Sequence, residues 1–421
     1  MIPPGSTEVP KKELASDTLA VLYFMWMGGA SVIGWTAAVT SLDFFDFKYP
    51  HANVSFIFPI ALYVAQLLNT AVITKLSVIM SYNARILTSL LSITTATVAL
   101  PIVGNMMQGT SFGIQLLMMI LFFLGFNNTL CYASTGGLTS QFDGKYSAYL
   151  LIGIGAFNLM VVLLRELVFV VFHPESSEDY GCLLVYFGAT AVLLVGGIIL
   201  HRLFMKSKFY KIKVLRKFSD DGALLSRQQD YETRSEILLD NCKPPHPPRS
   251  FKILLEVLKH NKGYICGLML SCAQNNLVYP GVYLKKPMPD VDGSTKTLLM
   301  GVVYGVFFIV GKKLGQYRKY YNLTVVKIVL VLKFLLDAFC IIQAITIEIP
   351  VFNTIWFGYV NLGMLGMSMG FVNVALFIMG PEAVKGDKKE VAGFLSVFGM
   401  NFGLMAGSFL SLPLQNIGLK P

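Results

Sequence analysis

The chain has 421 residues, of which 54% are hydrophobic and only 14% are charged. A soluble domain carries about a quarter charged residues, so this composition excludes an ordinary soluble protein. The net charge of +10 is compatible with nucleic acid, but most lysines and arginines lie in one set of loops, and no nucleic-acid partner is predicted. Apolar blocks about twenty residues long indicate bilayer-spanning helices, so the predicted surroundings are lipid.

The apolar windows predict an all-α polytopic membrane protein with eleven transmembrane helices. The seventh and eighth are the least regular, because polar residues or lysines interrupt them. The predicted spans are 19–42, 54–74, 86–103, 112–132, 148–172, 182–200, 264–284, 298–317, 325–345, 351–379 and 391–414.

Most lysines and arginines fall in segments on one side of these spans, including a long hydrophilic stretch after the sixth span. Basic residues favour the cytoplasmic side, which predicts a cytoplasmic N-terminus and, with an odd span count, an outer C-terminus. The predicted organisation is a six-helix bundle over 1–200, a basic cytoplasmic loop over 201–262 and a five-helix bundle over 263–421. The loop is interpreted as a tether between the bundles.

Motifs for catalysis, metal binding or cofactor binding are not evident in the sequence. The five histidines lie in loops or at span edges, and no Cys-x-x-Cys motif occurs. Gly153 and Gly155 lie in an apolar helix, where close helix packing is a better explanation than dinucleotide binding. We therefore predict no enzyme activity, no metal or other cofactor and no obligate protein partner. Asn53 begins an Asn-Val-Ser triplet and is a candidate glycosylation site.

Charged residues within spans require a reason, because each costs about 2.5 to 3.5 kcal/mol or more at the bilayer centre. Lys333 and Asp337 are four residues apart in the ninth span, so they share a helix face and are predicted to form a buried ion pair. Whether this pair is structural or lines a transport route is left open. Arg165 and Glu166 lie toward the outer end of the fifth span and are given a structural role.

Uncharged polar residues form a second set within the spans. Any one of them is more often a contact between helices than a ligand contact. Together, amides and hydroxyls with few fixed charges suit a neutral solute rich in hydrogen-bonding groups, which cannot cross hydrocarbon unaided. The members of this set are Trp35, Thr36, Thr40, Asn127, Asn128, Thr129, Asn158, Gln274, Asn275, Asn276, Asn361, Asn373 and Asn401.

Four stretches in the expected order resemble the equilibrative nucleoside transporter family. The first span carries Trp35-Thr-Ala and closes at Tyr49-Pro50, and the seventh ends in Tyr-Pro-Gly at 279–281. The tenth span reads Ser-Met-Gly-Phe at 368–371 before a Gly-Pro pair, and the eleventh opens with Glu-Val-Ala-Gly at 390–393. The resemblance implies a pseudo-symmetric, major-facilitator-like arrangement of six and five helices.

The same resemblance implies a nucleoside site between the bundles, formed by spans one, four, seven and eight. Trp35 corresponds to the family's first-span tryptophan, and the span-four glutamine aligns near Thr129. The eighth span departs from the family, since Phe308 stands where the family has aspartate and Lys312 where it has arginine. Asp337 is hypothesised to replace this lost carboxylate in part. The predicted substrate-binding residues are Trp35, Thr36, Asn127, Asn128, Thr129, Gln274, Asn275, Phe308 and Lys312.

Glycines and prolines near span ends are candidate gate or packing elements. Pro280 and Gly281 interrupt the seventh span near its outer end, where a flexible break suits a rocking carrier, although an ordinary helix terminus explains them equally well. Gly380 and Pro381 are predicted to end the tenth span. Gly393 in the eleventh span is predicted to admit a neighbouring helix closely.

These observations predict an equilibrative carrier of nucleosides, or of nucleobases, working by alternating access in the plasma membrane. An internal membrane remains an alternative. The competing interpretations are a facilitator for another small polar solute such as a sugar or drug, proton-coupled symport of nucleosides or nucleobases, a membrane receptor or scaffold, and an integral-membrane enzyme.

Overall fold

The computed structural model describes residues 11–52, 54–139, 142, 144–172, 179–207, 209–210, 251–279, 293–345, 354–385, 388–411 and 413. Over these ranges the protein is all-helical. The thirteen α-helices are α1 (Lys11–Ala30), α2 (Ile33–Thr40), α3 (Leu42–Lys48), α4 (Val54–Ile79), α5 (Tyr82–Met106), α6 (Ser111–Thr139), α7 (Gly144–Phe172), α8 (Tyr180–Lys206), α9 (Phe251–Val278), α10 (Gly293–Gln316), α11 (Leu323–Ile345), α12 (Ile355–Glu382) and α13 (Lys388–Ser411).

Every predicted span overlaps at least one of these helices, but the first span is broken. Its two parts, α1 and α2, meet at an angle of 42°. Within the described residues, seven helices are long and apolar enough to cross a membrane, or eight if this bent pair forms one span. The protein is therefore an integral multi-pass membrane protein, and the count of eleven remains a prediction.

Local sequence explains where several helices begin and turn. Asp179 caps α8, because its carboxylate accepts a hydrogen bond from the Cys182 amide at 2.8 Å. Ser81 caps α5 in the same way. Gly109 adopts a φ of 70° in the turn between α5 and α6, a backbone conformation that favours glycine. Its amide donates to the Lys48 carbonyl, which ties this turn to α3.

Helices α1–α8 form one half of the molecule. In it α1 packs along α7 and α8, while α6 packs between α4 and α5. The crossing of α1 and α7 has no room for side chains, since a Cβ at Gly28 or at Gly153 would lie 1.8 Å from a backbone carbonyl of the other helix. The packing explanation of Gly153 is therefore confirmed. For Gly155 the close neighbour is Ile309 of α10, 3.0 Å from an added Cβ.

Helices α9–α13 form the other half, in which α10 packs along α12 and α9 along α13. Added Cβ atoms at Gly403 and Gly407 would lie 2.2 and 2.3 Å from carbonyls of α9. The prediction that Gly393 admits a close neighbour is wrong, because a Cβ there meets nothing within 4 Å. Gly393 lies near the start of α13, whereas the close crossing with α9 at Gly403 and Gly407 lies about three to four helical turns beyond it.

Two helix ends differ from the predicted boundaries. Helix α9 begins at Phe251, so the hydrophilic stretch assigned to a loop contains its first turns. Helix α12 continues through Gly380 and Pro381 and ends at Glu382. The Gly380 carbonyl accepts a hydrogen bond from Asn261 at 2.9 Å, which fastens α12 to α9. Pro280, Gly281 and Asn53 lie outside the described residues, and α9 ends at Val278.

Two residues placed near span ends lie in networks that join helices. Arg165 of α7 donates to the Thr40 carbonyl and pairs with Asp43, so it joins α7 to α2 and α3, in agreement with the structural role predicted for it. His201 lies inside α8 and is fully buried. Its ring nitrogens contact the Tyr23 hydroxyl at 2.9 Å and the Asn83 amide oxygen at 3.0 Å.

Large apolar side chains cover much of the outer surface. On α8, Val192 and Ile199 are 69% and 56% exposed, and on α11 Val331 is 61% exposed. Exposed apolar area of this extent is uncommon on a soluble monomer. It is the surface expected of helices that face lipid.

Candidate functional site

The two halves meet along a seam between α7 and α10. The Lys312 ammonium donates to the Leu151 carbonyl of α7 at 2.5 Å. One turn away, a Cβ at Gly155 would lie 3.4 Å from the Phe308 ring. The small residue at 155 thus lets Phe308 approach α7, and both span-eight residues predicted to bind substrate lie at the boundary between the halves.

A second seam joins α4 and α6 to α13. The Asn401 amide donates to the hydroxyls of Thr70 and Thr129, each at 3.4 Å. Nearby, the Tyr132 hydroxyl contacts the Met400 sulfur at 3.8 Å. Three neutral polar side chains therefore bridge the halves at one buried point, and Thr129 lies on the face of α6 that contacts α13.

Between these seams, the N-terminal half contributes aromatic and polar side chains. The Trp35 and Tyr63 rings meet edge to face with centroids 6.0 Å apart. Beside them, the Thr36 hydroxyl donates to the Asn158 amide oxygen at 2.7 Å. The Tyr63 hydroxyl has Trp35 and Asn276 as polar neighbours, so this cluster touches the C-terminal half. Trp35 is part of the packed interior rather than the outer surface.

The C-terminal half contributes a column of aromatic rings. Tyr279 stacks on Tyr304 at 4.3 Å, and Tyr304 stacks on Phe308 at 5.6 Å. The Tyr304 hydroxyl donates to the Asn275 amide oxygen at 2.7 Å. The column ends at Lys312, whose ammonium lies 4.1 Å from the Phe308 ring centroid. Apolar faces with a few fixed polar groups are the usual lining of a small-molecule site.

Lys312 is the least compensated charge at this boundary. It is 2% exposed, and among the described side chains no carboxylate lies within ion-pair distance of it. A buried ammonium has three donors, and here one is directed to the Leu151 carbonyl. No further hydrogen bond joins this ammonium to a described residue, and its other close neighbour is the Phe308 ring.

Asp337 pairs with Lys333 and not with Lys312. The Lys333 ammonium lies 3.6 Å from an Asp337 oxygen, and both side chains are buried. Lys333 also donates to the Ser271 carbonyl of α9 at 3.1 Å. Asp337 thus neutralises Lys333, and the Lys333 hydrogen bond connects α11 to α9 inside the C-terminal half.

Three residues predicted to bind substrate form no described hydrogen bond to the other half. Two of them form hydrogen bonds within the N-terminal half, and the third lies on a different helix face. Asn127 donates to the Phe123 carbonyl of its own helix. In the orientation that satisfies its amide, Asn128 donates to the Ser31 carbonyl, so it packs α6 against the first span. Gln274 is 4% exposed, and neither end of its amide has a hydrogen-bond partner among the described residues. It shares a helix face with the exposed Leu270, away from the face that carries Asn276.

The sequence prediction missed the aromatic members of this cluster. Tyr63, Tyr279 and Tyr304 were not selected, because isolated tyrosines are common in spans and carry no spacing signal. Tyr279 had one available signal, since it directly precedes the proline that interrupts the seventh span.

A separate pocket of about 490 Å³ opens between the halves where α7 begins and α10 and α12 end. Lys145 and Tyr149 of α7 line one wall, and Lys313, Tyr317 and Arg318 line the other.

Next to this pocket, Tyr321 closes the turn after α10. Its hydroxyl donates to the Gly315 carbonyl, and burial raises its pKa to about 12.

Comparison with known proteins agrees with this geometry. The family described as "Nucleoside transporter" matches residues 117–415. Equilibrative nucleotide transporter 8 of Arabidopsis thaliana is 21% identical over 398 residues, which cover 93% of each chain. Equilibrative nucleotide transporter 1 of Arabidopsis thaliana is 22% identical over 419 residues, covering 97% of this chain and 88% of the relative.

Solved structures with the same fold belong to the major facilitator superfamily. A proton:xylose symporter superposes with a TM-score of 0.66 at 12% identity, covering 94% of this chain and 88% of its own. The fucose:proton symporter of E. coli gives a TM-score of 0.58 at 13% identity, covering 96% and 97%. These similarities establish the architecture and not the solute.

Proposed function

The chain belongs to the nucleoside transporter family, and from this membership we propose that it carries nucleosides between its two helical halves by alternating access. The transport is equilibrative: solute moves down its own gradient, and nucleobases are accepted as smaller analogues. Eleven spans, a cytoplasmic N-terminus and an outer C-terminus complete the proposed topology, and the plasma membrane is the proposed location. The protein is a transporter rather than an enzyme.

The observation that supports this proposal best is the cluster between the seams. Trp35 and Tyr63 of one half adjoin Asn276 of the other, and Phe308 lies against Gly155. A planar base requires flat apolar surfaces and a few hydrogen-bond partners. Since both halves contribute such groups, a solute bound here contacts both and is released when they rock apart.

The proposed roles divide by chemistry. Trp35 and Phe308 supply faces for the base, and Thr36 with Asn158 supplies hydroxyl and amide groups to the sugar. Lys312 donates to a carbonyl or hydroxyl oxygen of the solute. A lysine provides a point charge, whereas the planar guanidinium of an arginine would fix the orientation of the solute more strictly. Broad acceptance of bases and nucleosides is therefore expected.

The test is counter-flow in proteoliposomes that contain the purified full chain. Labelled adenosine, inosine, uridine and free bases are offered at two pH gradients, with xylose and glucose as competitors. We expect exchange of nucleosides that sugars do not inhibit, and no accumulation above equilibrium in either gradient. Sugar exchange without nucleoside exchange would overturn the proposal, and accumulation driven by a proton gradient would replace equilibrative transport with symport.

A further inference from the structure

The pocket where α7 begins and α10 and α12 end is the second place at which both halves present chemistry to a common space. It lies at the end of the molecule that the charge pattern assigns to the cytoplasm. Its volume of about 490 Å³ is in the range of small-molecule sites. One wall belongs to α7 and the other to α10 and the segment after it, so an occupant would bridge the halves.

Positive charge predominates in the pocket lining. Lys145, Lys313 and Arg318 contribute three cations against the single carboxylate of Glu382. Arg318 contacts Glu382 at 3.4 Å, and Lys145 pairs with Asp17 at 2.9 Å. An anion that enters the pocket therefore meets more positive than negative charge.

Of the three cations that line the pocket, Lys313 is the one without a carboxylate partner among the described residues. Its ammonium donates to the Gln316 amide oxygen at 2.9 Å, and no described acidic side chain lies within ion-pair distance of it. It is exposed, so an incoming phosphate would reach it from solvent and replace only the neutral Gln316 acceptor.

Two tyrosine rings flank Lys313, one from each half. The Tyr149 and Tyr317 ring centroids each lie 5.7 Å from the Lys313 ammonium. Proteins that bind single-stranded nucleic acid without sequence preference combine base–aromatic stacking with cationic contacts to the phosphates. The same groups suit a free nucleotide. The lining thus offers ring faces and phosphate-binding cations within one small pocket.

We infer that this pocket binds a nucleotide, with its base against Tyr149 or Tyr317 and its phosphates at Lys313, Lys145 and Arg318. Because the occupant contacts both walls, it binds the conformation with this wall spacing better than any conformation in which the walls separate. A ligand shifts an equilibrium by its differential affinity for the two states. The bound nucleotide therefore holds the halves together and slows transport, a consequence that rests on the proposed alternating access.

Equilibrium dialysis of labelled ATP against the purified full chain tests binding without requiring transport. We expect Lys313→Gln to weaken ATP binding at least tenfold, and Tyr149→Leu to weaken it as well. Lys319→Gln is the matched control, since Lys319 is exposed in the same region but does not line the pocket. Unchanged binding in Lys313→Gln and Tyr149→Leu would overturn the inference.

Competition separates this pocket from the transport site. Unlabelled AMP is expected to displace ATP, whereas adenosine without phosphate and inorganic phosphate without a ring are expected to compete at least tenfold less well. Adenosine competing as well as ATP would assign the binding to the transport site, and phosphate competing equally would remove the role of the rings. Since dialysis reports binding in a chain that transports nothing, failure of the proposed transport leaves this test intact.

Discussion

Trp35 is the residue on which substrate recognition depends most in the proposed site. Base–aromatic stacking contributes about 1–3 kcal/mol, so Trp35→Ala is expected to raise the KM for adenosine uptake by about tenfold or more. Trp35→Phe retains a ring and should recover much of this loss. Trp356→Ala is the control, because Trp356 is 80% exposed on α12. Similar KM values for Trp35→Ala and Trp356→Ala would contradict the role of Trp35.

The buried pair of Lys333 and Asp337 is expected to stabilise the C-terminal half only while both members are present. Asp337→Ala leaves the Lys333 ammonium buried beside one carbonyl and should destabilise the protein by about 3–5 kcal/mol. The double variant with Lys333→Ala removes both charges and should be more stable than Asp337→Ala alone. Thermal unfolding of the two single variants and the double variant measures this coupling. Losses that simply add would show that the two side chains act independently.

Predictions about single residues succeeded where spacing and charge determine the partner. They failed where the direction of a side chain around its helix determines the contact. The spacing of Lys333 and Asp337 indicates a pair, and the structure has them 3.6 Å apart. By contrast, Asn127, Asn128 and Thr129 are consecutive, and of their described hydrogen bonds only that of Thr129 reaches the other half. Consecutive helical residues differ by about 100° in direction, and the register that selects one of them depends on tertiary packing.

At the scale of elements, the crossing of α1 and α7 depends on two glycines. Gly153→Ala places a Cβ 1.8 Å from the Met25 carbonyl, and backbone atoms cannot move aside as a flexible side chain can. Overpacking of this kind costs about 1–3 kcal/mol, so we expect a lower melting temperature and less folded protein. Gly188→Ala on α8 is the matched control, because its Cβ would meet nothing within 4 Å. Equal melting temperatures for the two variants would contradict the packing argument.

The helices themselves were predictable, because long apolar blocks leave few alternatives in lipid. The bend between α1 and α2 was not, since a single serine, Ser31, does not interrupt the apolar window of the first span. The start of α9 was also missed, because charged residues such as Glu256 and Lys259 alternate with apolar ones in its first turns and lower the hydropathy of that window. Hydropathy indicates which residues lie in lipid. A helix can extend beyond those residues, because it ends only where its backbone hydrogen bonds end.

At the scale of the whole molecule, alternating access requires at least one seam to open. The bridge formed by Asn401 with Thr70 and Thr129 consists of long, neutral hydrogen bonds at 3.4 Å, and neutral bonds contribute only about 0.5–1.5 kcal/mol each. Weak bonds of this kind suit a contact that breaks in every transport cycle. At the opposite seam, the Lys312 ammonium donates one hydrogen bond to the Leu151 carbonyl, beside the packing of Phe308 and Ile309 against Gly155.

A cross-link across the α6–α13 seam should therefore stop transport reversibly. Cysteines at Thr129 and Asn401 are expected to bridge on oxidation, because the native side chains are in contact, and adenosine exchange should stop until a reductant is added. The control pair is Lys48→Cys with Gln108→Cys, whose native side chains meet at 2.9 Å within one half. Oxidising this pair should leave exchange intact, since no movement of one half against the other is blocked. Continued exchange in the fully cross-linked Thr129–Asn401 variant would mean that solute passes without separation of α6 from α13. The rocking motion would then be confined to the seam between α7 and α10.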